Sequence, residues 1–168
     1  MIEMELVGVR VELPANQPIV LLKEREGTRY LPIWIGAVEA TAIAFALQGV
    51  ETARPLTHDL FVDVLRELEV ELVAVHVTDL QDGTFYAELK LKRGEDTWSV
   101  SARPSDAIAL ASRLDDVPLY AAADVLDSAG LEIEEGDEGE LEEGADAEEE
   151  VRQFREFLDE VSPEDFKG

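Results

Sequence analysis

The chain has 168 residues, 46% of them hydrophobic, enough for one sizeable core and too few for two independent ones. It has no cysteine, which excludes a disulfide framework, a thiolate zinc site and a cysteine nucleophile. Against 14 Lys and Arg stand 39 Asp and Glu, a net charge of −25. That balance disfavours nucleic acid as a partner, because basic groups that neutralise phosphates supply most non-specific affinity.

The acidic excess runs along the whole chain: residues 1–126 hold 11 basic and 21 acidic groups, and residues 127–168 hold 3 and 18. Such a bias suggests adaptation to high salt, where a Debye length of about 3 Å screens self-repulsion. The first residues are acidic where a secretory signal is basic, and no apolar run reaches the roughly 18 residues of a membrane span. A cytoplasmic protein without a membrane segment is the expectation.

Residues 2–13 alternate as a strand, but the apolar set moves from even positions (Ile2, Met4, Leu6) to odd ones (Val7, Val9, Val11) beside Gly8, the mark of a β-bulge. Further strands are predicted at Ile19–Lys23 and Tyr30–Ile35, joined across Gly27. Gly36–Leu47 is apolar nearly all round, with Glu39 its only charge, and reads as a buried helix. A second helix is predicted from an N-cap at Thr57, with Leu60, Phe61, Val64, Leu65 and Leu68 facing the core and Asp59, Asp63 and Arg66 outward. Strands at 72–80, 84–92 and 96–103 follow, the first two joined at Gln81-Asp-Gly83. Val73, Val75, Val77, Trp98 and Val100 are expected in the core, as is Trp34, and His76 on the polar sheet face. A third helix is predicted from Ser105 to about Leu114, and a small one near Ala122–Leu126. The fold class is therefore α+β: a mixed, mostly antiparallel sheet packed against helices, a single domain with an acidic C-terminal tail. The domain is taken as 1–130, followed by an acidic disordered linker at 131–150 and a short terminal helix at 151–168, where Val151, Phe154, Phe157 and Leu158 recur at helical spacing.

Leu31-Pro-Ile-Trp-Ile-Gly36, Glu39-Ala-Thr-Ala-Ile43, Arg54-Pro-Leu-Thr-His-Asp-Leu60 and Ala102-Arg-Pro-Ser-Asp-Ala-Ile-Ala-Leu110 resemble, in order and spacing, the bifunctional nuclease family. With the acidic bias, the resemblance points to a haloarchaeal or other salt-adapted member. It implies an α+β fold that assembles into homo-oligomers, and a nuclease hydrolysing phosphodiester bonds of RNA and DNA, the activity credited to plant relatives.

Several residues suit that chemistry. At the start of the second helix the positive end of the helix dipole disfavours imidazolium, which leaves His58 in the form that serves as a base or a metal ligand. Asp59 and Asp63, one turn apart, are candidate ligands for a divalent metal, Mg²⁺ or Mn²⁺, which prefer oxygen. Arg54 and Arg103 each precede a helix N-terminus whose free N–H groups favour anions, so with Ser105 they are candidates for holding a phosphate. Alternatively, Asp59, Asp63 and Arg66 form a solvated face, and one of the two arginines is the structural partner of a buried Glu39. In that case the chain is a non-enzymatic oligomeric module that binds a small anion or a protein partner.

Overall fold

The computed structural model describes residues 1–12 and 15–132. The expected linker beyond Glu132 and the terminal helix lie outside these residues. The described chain forms eight strands and four helices. β1 (Ile2–Glu12), β2 (Gln17–Glu24) and β3 (Arg29–Trp34) precede α1 (Ala37–Leu47) and α2 (Thr57–Glu67). Then come β4 (Glu71–Gln81), β5 (Thr84–Arg93), β6 (Asp96–Ala102), α3 (Pro104–Ala111), β7 (Leu119–Ala121), α4 (Ala123–Ala129) and β8 (Leu131–Glu132). One sheet holds all the strands in the order β6-β5-β4-β7-β1-β2-β3-β8. Only β4 and β7 run parallel, and every other pair is antiparallel, so the α+β reading holds.

The phase slip in β1 is a bulge: the register with β2 shifts between Leu6 and Gly8, and Gly8 takes φ +148°, which a side chain would resist. Gln81 pairs with Thr84 across Asp82 and Gly83, both at positive φ, the geometry of a two-residue hairpin turn matched to strand twist. α1 and α2 end alike. Val50 N–H reaches Phe45 O and Gly49 N–H reaches Ala46 O, while Val70 N–H reaches Leu65 O and Glu69 N–H reaches Arg66 O. Both are Schellman closures, with Gly49 at φ +62° and Glu69 at φ +55° as the left-handed residues.

α3 lies at the centre of the helical layer, with Ala107, Ile108 and Ala109 fully buried against α1, α2, β4 and β5. Several expectations are corrected around it. The α2 N-cap is Leu56, not Thr57, because Asp59 at the third helical position accepts the Leu56 N–H (2.9 Å) and closes the first turn itself. Likewise α3 starts at Pro104, whose missing N–H costs nothing at the first position; Arg103 is the cap, and Ser105 lies inside the helix. α3 also stops at Ala111, short of Leu114.

α1 is not enclosed: Val38 and Leu47 face solvent while Ala40, Ile43 and Phe45 are buried. On α2 only Val62 and Leu65 are buried, and Leu60, Phe61, Val64 and Leu68 are exposed, because α2 rests on the flank of α3 rather than on the sheet. β6 is exposed along nearly its whole length. Trp98 and Val100 share a face with Leu91 and Leu89, their cross-strand partners, but stand at the sheet edge beyond the helices' cover. A register shift between Leu72 and Ala74 likewise turns Val73 out to solvent. Trp34 is half exposed, its indole N–H donating to Glu12 Oε2 (2.8 Å). Leu131 and Glu132, read from the sequence as linker, form β8 against Tyr30 and Arg29.

Candidate functional site

The N-terminal ends of α1, α2 and α3 meet because α3 packs against both other helices. There the two Arg-Pro motifs produce a continuous ionic chain from Glu39 through Arg103 and Asp106 to His58. Arg103 Nη1 lies 2.8 Å from Glu39 Oε1, and Arg103 Nε and Nη2 donate to Asp106 Oδ2 (2.7 Å) and Oδ1 (3.1 Å). His58 Nε2 lies 3.0 Å from Asp106 Oδ1. An ionised carboxylate only accepts, so Nε2 carries a proton toward Asp106, and Nδ1 has no hydrogen-bond partner among the described residues. His58 is largely buried, whereas the Arg103 side chain is 65% exposed and retains two N–H groups beyond the three it uses.

Burial would raise the Asp106 carboxyl, but hydrogen bonds to Arg103 and His58 and the charge of Arg103 outweigh it and hold the group below its ordinary value. Asp59 behaves in the same way: burial is overcome by Arg113, whose Nε donates to Asp59 Oδ1 (2.6 Å), and by the Leu56 N–H on Oδ2. Arg113 is 9% exposed and also donates to Ala109 O.

His58 and Asp59, adjacent in sequence, therefore face different partners. Asp59 and Asp63 border an open cleft of about 380 Å³ together with Glu51, Ser112, Arg113 and Asp115. Asp63 pairs with Arg66 (3.0 Å). These residues do not suit Mg²⁺ or Mn²⁺. Both Asp59 oxygens are taken by N–H donors, Asp63 is held by Arg66, and among the described residues no three His, Asp or Glu stand close enough to hold a metal.

The other candidates divide. Arg54 is exposed, and its side chain has no partner among the described residues. Ser105 is buried at 6% exposure, which takes its hydroxyl away from a phosphate. Glu39 has the arginine partner that an apolar helix demands, yet its side chain is 19% exposed. The carboxylate buried in a strand is instead Glu24, held by Arg29 through Nε (3.1 Å), Nη2 (2.7 Å) and the backbone N–H. His76 stands half-buried on the other sheet face, against the ring of Tyr120.

Sequence reasoning placed Asp106 at the second Arg-Pro entrance without a part in the chemistry, and gave no role to Arg113. The available signal for Asp106 was its place three residues after Arg103, matching the position of Asp59 in α2. For Arg113 it was a lone cation just beyond the apolar run Ala107-Ile-Ala-Leu-Ala111.

Residues 20–134 match the family model described as the bifunctional nuclease domain. The chain belongs to this family. Among relatives, an uncharacterized protein of Mycobacterium tuberculosis (strain H37Rv) is 53% identical over 167 residues, covering 99% of this chain and 98% of that protein. Bifunctional nuclease 2 of Arabidopsis thaliana is 31% identical over 103 residues, 59% of this chain and 31% of that protein. Bifunctional nuclease 1 of the same plant is 29% identical over the same length, 32% of that protein. The mycobacterial match gives no support to a haloarchaeal origin for this bifunctional nuclease domain. Among the described residues no helix is long and apolar enough to cross a membrane.

Proposed function

We propose that the chain is a nuclease that hydrolyses phosphodiester bonds of RNA and DNA at the Glu39–Arg103–Asp106–His58 cluster. The observation that carries the reading is the His58–Asp106 pair at 3.0 Å. A carboxylate that accepts from Nε2 orients the imidazole and presents Nδ1 as a base for the attacking water, the same division of labour as in other His–Asp pairs. Arg103, held in place by Glu39 and Asp106, supplies charge to the phosphate oxygens, and the exposed Arg54 at the start of α2 supplies more. Asp59 and Arg113 position the α2 start. With no basic footprint over the rest of a −25 chain, substrate is held by these local cations and not by long-range attraction. The cytoplasm and a homo-oligomeric state are part of the same proposal. The expected Mg²⁺ or Mn²⁺ is not part of this proposal, because Asp59 is already held by Arg113 and Asp63 by Arg66.

The test is cleavage of single-stranded RNA and DNA by the purified chain, with and without EDTA. His58→Ala and Asp106→Asn are expected to lower the rate about 10²-fold or more while the chain still melts cooperatively, and Arg103→Gln to raise KM more than it lowers kcat. Undiminished cleavage by His58→Ala moves the site elsewhere. If the native chain cleaves neither substrate under any condition, the cluster is structural and the binding-module reading takes its place.

A further inference from the structure

α2 carries an apolar stripe that the described residues leave uncovered. Leu60, Val64 and Leu68 follow one another at four-residue steps with Phe61 beside them, and all four are between 45% and 56% exposed. In a water-exposed helix this is unusual, since the apolar stripe of an amphipathic helix normally faces a partner. Asp63 and Glu67 lie along one edge of the stripe.

We propose that this face is the docking site of the chain's own residues 151–158, Val151-Arg-Gln-Phe-Arg-Glu-Phe-Leu158. Two arguments select this occupant. The first is pattern: Val151, Phe154, Phe157 and Leu158 recur at helical spacing in the sequence, an apolar set of the kind that the stripe of Leu60, Phe61, Val64 and Leu68 would cover.

The second argument is reach. The described chain ends at Glu132, and the 18 residues from 133 to 150 span up to about 60 Å when extended, several times the ~14 Å radius of gyration of a domain this size. Tethering converts docking into an intramolecular event at an effective concentration in the millimolar range, so a small apolar contact suffices.

The absence of cysteine allows a direct test in the full chain. Leu60→Cys with Leu158→Cys is expected to form a cross-link within one chain, at monomer mass and at a rate independent of protein concentration. A control pair, Val38→Cys with Leu158→Cys, places the first cysteine on the exposed face of α1 and is expected to cross-link at least tenfold more slowly. Independently, Phe154→Asp with Phe157→Asp is expected to speed amide exchange across residues 57–67 about tenfold in the otherwise native chain. Equal cross-linking of the two pairs, a product at dimer mass, or unchanged α2 exchange in the Asp variant each overturns the proposal. A dimer-mass product assigns the stripe to a second copy.

Discussion

His58 and Asp59 show how neighbouring residues acquire different work. On a helix they are 100° apart, so His58 turns toward the N-terminus of α3 and Asp59 toward Arg113. The acid sensitivity of the chain follows from the same contacts. Asp59 and Asp106 are held below their ordinary 3.8, so the stability they add is complete above that value and is lost as pH falls through the lower folded one. His76 is pushed below its ordinary 6.5, first by burial and then by the charge of Lys90, so its contribution is complete above 6.5 and starts to fade at a higher pH than theirs. Unfolding free energy against pH should therefore decline in two stages. His76→Gln is expected to remove the earlier stage. Asp59→Asn is expected to flatten the later one and to cost about 1 kcal/mol near neutrality, discounted for the exposure of the carboxylate. An unaltered acid limb in Asp59→Asn would show that the Arg113 contact adds nothing.

At the scale of elements, helix ends decided more than helix faces. α1 closes on Gly49 in the left-handed region at no steric cost, whereas α2 closes on Glu69 at φ +55° with the same hydrogen bonds. A side chain there costs roughly 1–2 kcal/mol, partly offset by the lower entropy of the unfolded chain relative to glycine. Glu69→Gly is expected to stabilise by about 0.5–1 kcal/mol in denaturant unfolding, with the slope unchanged; destabilisation would mean that the Glu69 side chain makes a contact worth more than the strain. The strands were the more legible elements, because period-two alternation and an Asp-Gly turn are local signals. Burial was not legible in the same way. The apolar positions of α2 and β6 fit an amphipathic pattern, yet Leu60, Val64, Trp98 and Val100 lie beyond the neighbours that would cover them.

For the whole molecule, charge is the dominant fact. The −25 charge should be self-repelling in dilute buffer, so the melting temperature is expected to rise from 0.1 M to 3 M KCl; an unchanged value would show that local pairs such as Glu24–Arg29 and Asp59–Arg113 already absorb the repulsion. The sequence alone determined the α+β class, the bulge at Gly8, the hairpin at Asp82-Gly83 and the kinship carried by the two Arg-Pro motifs. The bulge and the hairpin depend on residues within a few positions of one another, and the class and the kinship on the order and spacing of such local patterns along the chain. The tertiary structure decided which arginine Glu39 would meet, that Asp106 would hold His58, and that Asp59 would be taken by a residue 54 positions away. Those choices depend on how α1 and α2 pack against α3, which no local spacing encodes.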